Sequence, residues 1–75
     1  MYCIKIIDAE DNAALLPNIF GNSESAIQAM SELATEHANV HAGYEVTKTR
    51  NAVSVSDYSG YVVIDYILCD LRESW

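Results

Sequence analysis

Asp8, Glu10, Asp11 and Asn12 crowd four oxygen-bearing side chains into one short stretch, the density that a hard cation such as calcium requires. The spacing then departs from a calcium loop. Its sixth position is Ala13, where such a loop needs glycine, and its twelfth is Ile19, where it needs a bidentate carboxylate. We read the stretch as a solvated acidic turn. His37 and His41 stand four residues apart, which on a continuous helix aims two imidazoles at one zinc ion. Asn39 ends the predicted helix between them, and Glu36 is the only further ligand at hand, too few for a zinc site. His37 therefore reads as a residue of the last helical turn, where its partial charge suits the helix dipole. No serine sits in a G-x-S-x-G elbow, and nothing in the pattern suggests a sugar-sized cleft between paired carboxylates. We assign no catalytic residue, metal or cofactor and expect a protein that is not an enzyme.

The acidic residues carry more direction. Eleven Asp or Glu stand against four Lys or Arg, a formal charge of -7, and no cation occurs between Lys5 and Lys48. Lys5, Lys48, Arg50 and Arg72 are too few and too scattered for phosphate contacts, which argues against direct nucleic-acid binding. A charge of this size keeps a small domain soluble and needs no further role. It also presents a negative surface that steers a basic partner, such as a nucleic-acid-binding groove, into contact. On that second reading the partner-binding residues are Asp8, Glu10 and Asp11 in the turn and Glu24, Glu32 and Glu36 on the exposed side of the helix. The five tyrosines, Phe20 and Trp75 supply aromatic anchors of the kind interfaces favour.

Elements must position these groups. Residues 2 to 8 alternate and are rich in β-branched side chains, so they read as a strand. Ala13 to Phe20 reads either as an edge strand or as an irregular loop, because Pro17 has no N–H to donate. Gly21-Asn22-Ser23 announces a helix, with Ser23 as N-cap or Ser25 as N-cap and Gln28 completing a capping box. Ala26, Ile27, Met30, Leu33, Ala34 and Ala38 then recur on one side of an amphipathic helix ending near Asn39, which tolerates a left-handed conformation. Three strands follow: Tyr44 to Thr49, Val53 to Ser56 and Tyr61 to Cys69, joined by short turns into a meander. The expected architecture is α+β, a four- to five-stranded antiparallel sheet with one amphipathic helix on one face. Ile27, Met30, Leu33 and Ala34 should pack on Ile4, Ile6, Val46, Val55, Val62 and Ile64.

Length confines all this to one compact domain spanning residues 1 to 75, with no room for a second. The last strand is apolar on both faces, so the face without a helix needs cover, from the tail Leu71 to Trp75 or from a second copy in a homodimer. Cys3 and Cys69 read as core thiols; they can pair if the first and last strands are neighbours, but the absence of a signal sequence favours a reduced, cytoplasmic protein. The longest apolar runs, Tyr61 to Ile64 and Tyr66 to Cys69, fall far below the ~20 residues of a membrane helix.

In its order of strand Tyr2 to Ile7, capped helix Ser23 to Ala38 and terminal strands Tyr44 to Cys69, together with its one-signed charge, the chain resembles the small acidic inhibitors of host defence encoded by phages and other mobile elements. The anti-CRISPR proteins are the best-known group of that type. The resemblance covers the whole chain, without an alignable motif, and carries no functional residue over. It implies stoichiometric binding without catalysis to a defence nuclease or surveillance complex, often by blocking its nucleic-acid channel and frequently as a dimer. The alternative is a small dimeric structural or accessory module with no inhibitory role.

Overall fold

The computed structural model describes residues 1–71. In chain order the elements are β1 (Tyr2–Asp8), β2 (Ala13–Leu15), α1 (Ser23–Asn39), β3 (Glu45–Lys48), β4 (Ala52–Ser56) and β5 (Val62–Asp70). All five strands form one antiparallel sheet in the order β2-β1-β5-β4-β3, with the single helix against one face, an α+β fold. The meander β3-β4-β5 forms as its short turns require, and β1 adds to the far side of β5. The first and last strands are thus the central pair, in register from Tyr2↔Asp70 to Asp8↔Ile64.

Ala13 to Phe20 divides between its two readings. Ala13–Leu15 pairs with β1 as a three-residue edge strand, after which Pro17 interrupts the ladder. Phe20 rejoins it by exchanging backbone hydrogen bonds with Tyr2, at 2.8 and 2.9 Å. The helix that follows packs across β1, β5, β4 and β3.

The core lies between α1 and the sheet. Ala26, Met30, Ala34 and Ala38 form the buried stripe of the helix, at the three- and four-residue spacing read from the sequence. Met30 and Ala34 cluster with Ile4, Val53, Val55 and Tyr66, and Ile6, Ile27, Leu33, Val46 and Ile64 pack around them. Val62 does not join this core: it is 41% exposed. Alternation along β5 placed it with Ile64, but Val55 pairs with Ile64 while Ser56 pairs with Val62, so two steps of β5 oppose one of β4. That bulge shifts the alternation, and Val63 packs against the core instead.

Both helix ends also differ from expectation. Neither Ser23 nor Ser25 is the N-cap. Asn22, extended at φ -140 and ψ 161, accepts a 2.8 Å hydrogen bond from the Ser25 N–H through Oδ1. An amide oxygen one residue before Ser23 reaches the third helical N–H, and Ser25 is the residue being capped. At the other end the backbone stays right-handed through Val40, and Gly43, at φ 84, makes the left-handed turn.

On the face away from α1, Ile7 and Ile67 are half-buried and Leu15 is 62% exposed. Of the tail expected to cover this face, Leu71 is half-buried, and residues 72–75, Trp75 included, lie outside the described residues. Among the described residues, no helix is long and apolar enough to cross a membrane.

Candidate functional site

The break at Pro17 shapes a bounded depression beside α1. Leu16 stays tied to the sheet through a 2.9 Å hydrogen bond from its N–H to the Ile4 carbonyl, and Phe20 is tied to Tyr2, so the residues between them bow outward. Between this bow and α1 lies a groove of about 310 Å³. Its floor and walls are Ile4, Leu16, Phe20, Ala29 and Leu33, and its rim carries Asn18, Glu32 and Glu36. Both glutamates are exposed, and they also border the open outer surface of α1 with Gln28, Ser31 and Thr35. One helical turn apart, the two like charges repel by a few tenths of a kcal/mol, a cost that a bound cation would cancel. The field of Glu36 extends inward: burial, and secondarily the Glu36 charge, push the Tyr66 phenol above its usual range. The chemistry on offer is an apolar trough with anionic edges, suited to a long aliphatic side chain ending in a cation.

The structure distributes the six sequence-predicted residues over three places. Glu32 and Glu36 come together at the groove. Asp8, Glu10 and Asp11 form the β1–β2 turn, at the end of the sheet toward which α1 runs. Glu24 occupies the first turn of α1, where a carboxylate complements the helix dipole, about 18 Å along the axis from Glu36. Within the β1–β2 turn the acids have different work. Asp8 Oδ1 accepts the N–H groups of Glu10 (2.9 Å) and Asn12 (3.0 Å), and Oδ2 accepts the Asn12 side-chain amide. These bonds, that from the Asn12 N–H foremost, hold the Asp8 carboxyl below the ordinary aspartate range. Asp8 shapes the turn, while Glu10 and Asp11 point their charge at solvent, Asp11 at φ 64.

A second acidic turn lies outside these six residues, at Asp57. Asp57 Oδ1 accepts the Ser59 hydroxyl (2.6 Å), the Ser59 N–H (2.9 Å) and the Tyr61 N–H (3.1 Å), with Gly60 at φ 89 completing the hairpin. Its carboxyl is lowered chiefly by the Ser59 hydroxyl. The pattern Asp57-Tyr58-Ser59-Gly60 carries the signal, since an aspartate that caps its own backbone two residues on is a turn device. The Tyr61 hydroxyl donates to the Ala9 carbonyl at 3.3 Å, joining the two acidic hairpins, and Tyr58 stands 85% exposed between them and Gly43. On the face away from α1 the Ser54 hydroxyl donates to Asp65, which accounts for the one acid in the apolar run of β5. No sequence signal marks the groove, because Leu16, Phe20 and Leu33 meet only after folding.

His37 and His41 do not share a helical face, since α1 ends at Asn39. Their ring centroids are 5.4 Å apart, and His41 stacks on Tyr44 at 4.5 Å. Among the described residues, no group of three His, Cys, Asp or Glu is placed to hold a metal ion. No protein-family model matches the chain, and no curated protein or solved structure matches it either.

Proposed function

We propose that this protein is a stoichiometric, non-catalytic inhibitor of the anti-CRISPR type, which acts in the cytoplasm by docking on a basic, nucleic-acid-binding surface of a host defence complex. The observation that carries the reading is the groove rimmed by Glu32 and Glu36. An arginine or lysine from the partner lays its aliphatic stem against Leu16, Phe20 and Leu33 and brings its charge to the two carboxylates. The net charge of -7 supports the same reading by attracting a surface built to hold phosphate, and Glu10 and Asp11 extend the anionic surface beyond the groove.

Capture of the partner from host lysate, identified by mass spectrometry, is the first step of the test. Recovery of a nuclease or surveillance complex is the expected result, with affinity lost in Glu32→Lys/Glu36→Lys and association slowed above ~0.1 M salt. Binding that survives both changes rejects the acidic-groove mechanism. The second reading, a dimeric accessory module, is favoured by a different observation: Ile7, Ile67 and the exposed Leu15 on the sheet face away from α1. Apolar association through that face would be indifferent to salt and to the two glutamate reversals.

A further inference from the structure

Cys3 and Cys69 stand directly opposite one another on the central strand pair, and both are free thiols. The pattern around them fixes the kind of pairing. Tyr2 exchanges its hydrogen bonds with Phe20 on the β2 side, and the Leu71 N–H donates to the Met1 carbonyl at 3.0 Å, so alternation turns the Cys3 backbone toward β5. Such a hydrogen-bonded antiparallel pair holds its Cα atoms about 5.5 Å apart, inside the range that a disulfide spans. Alternation along β1 also puts Cys3 on the face opposite Ile4, outside the core beneath the helix. The two sulfurs differ in access: Cys3 is 2% exposed, whereas Cys69 is partly exposed.

We propose that Cys3 and Cys69 form a dithiol site that exchanges with low-molecular-weight disulfides of the glutathione class, closing a bond across the two central strands. The Cys69 thiolate attacks one sulfur of oxidised glutathione, forming a mixed disulfide and expelling one glutathione thiolate. The Cys3 sulfur, deprotonated in turn, attacks the Cys69 sulfur and expels the second glutathione. Two cysteine thiols are oxidised, one disulfide is reduced to two thiols, and the two cysteine protons end on the two glutathiones. Burial and the neighbouring Cys69 push the Cys3 thiol above its usual range, which suits it to the second step, where its attack is within the molecule.

The full chain is incubated in a buffer rich in oxidised glutathione, and its intact mass, free thiols and thermal unfolding are followed. The expected product has no disulfide between chains, is two hydrogen atoms lighter, without titratable thiol, and melts at least about 10 °C higher, because the bond closes a loop over nearly the whole chain. Cys3→Ala should stop at one bound glutathione, and folded Cys69→Ala should take none. Retention of both thiols, or a bond formed only between molecules, overturns the proposal. Modification of Cys3 in Cys69→Ala as fast as of Cys69 in Cys3→Ala overturns the order of attack. The first two readouts use the unsubstituted protein, so they stand even if a variant fails to fold.

Discussion

Met30 and Leu33 lie one helical turn apart and do different work. Met30 is fully enclosed against Ile4, Val53 and Tyr66, whereas Leu33 is half-exposed in the wall of the groove. Met30→Ala should therefore cost about 2 to 5 kcal/mol, much of what a domain of this size possesses, and Leu33→Ala distinctly less, as read by urea unfolding. Equal losses would mean the groove is closed in solution. Asp8 and Asp57 give stability a pH dependence of known sign. Both carboxyls are held low in the folded chain, so the stability they add is present above the unfolded aspartate value near ~3.9 and is lost as pH falls through the folded values. The thermal midpoint of Asp57→Asn should fall less steeply than that of the native chain between about pH 5 and about pH 2; parallel acid limbs would assign the loss to other groups. At this scale the sequence was readable wherever a single residue governs its own neighbourhood, as Pro17 does by ending β2. The pairing of Glu32 and Glu36 with Leu16 and Phe20 was not, because periodicity says which side of a helix is polar and nothing about what faces it across a gap.

Among the elements, α1 was legible nearly to its ends because the three- and four-residue spacing of Ala26, Met30, Ala34 and Ala38 outweighs every competing pattern. Its ends were not, since Asn22, Ser23 and Ser25 are all competent caps and only the entry angle of the chain decides among them. Asn22→Ala should lower stability by about 1 kcal/mol, and Ser23→Ala should be nearly neutral, a contrast that thermal melts of the two variants resolve. The connection from α1 to β3 depends on Gly43. A Cβ there would lie 3.2 Å from the Cβ of Tyr58 in addition to the left-handed backbone, so Gly43→Ala should destabilise by about 1 to 2 kcal/mol. An unchanged melting temperature would show that this turn rearranges freely. The bulge in β5 explains the remaining misreading: alternation holds on either side of it, and the register shift at Val55 and Ser56 has no local signature in Val62-Val63-Ile64.

Over the whole molecule the sheet separates the anionic groove from the exposed apolar residues, which share their side with Lys5 and Asp65. The anionic groove flanks the helix layer, and Ile7, Ile67 and Leu15 lie on the opposite side of the sheet. Self-association through the apolar side would leave the groove free, so dimer formation and partner binding are compatible. Sedimentation equilibrium at micromolar concentration should then show a species near twice 8.3 kDa, and a single 8.3 kDa species would reject the dimer. The placement of β1 beside β5 has a kinetic consequence. The middle of the sheet is built from the first and last strands, so its ladder cannot form until almost the whole chain has been synthesised, and its loop-closure entropy must be overcome in one late step. Until then β1 has only the short β2 beside it, leaving its other edge open to pairing with a neighbouring nascent chain. Joining the two termini through a short linker and opening the chain between residues 50 and 51 would turn that distant pairing into a local hairpin. Stopped-flow refolding of such a permutant should be faster than that of the native order, and an equal rate would place the barrier in the docking of the helix rather than in the meeting of the two ends.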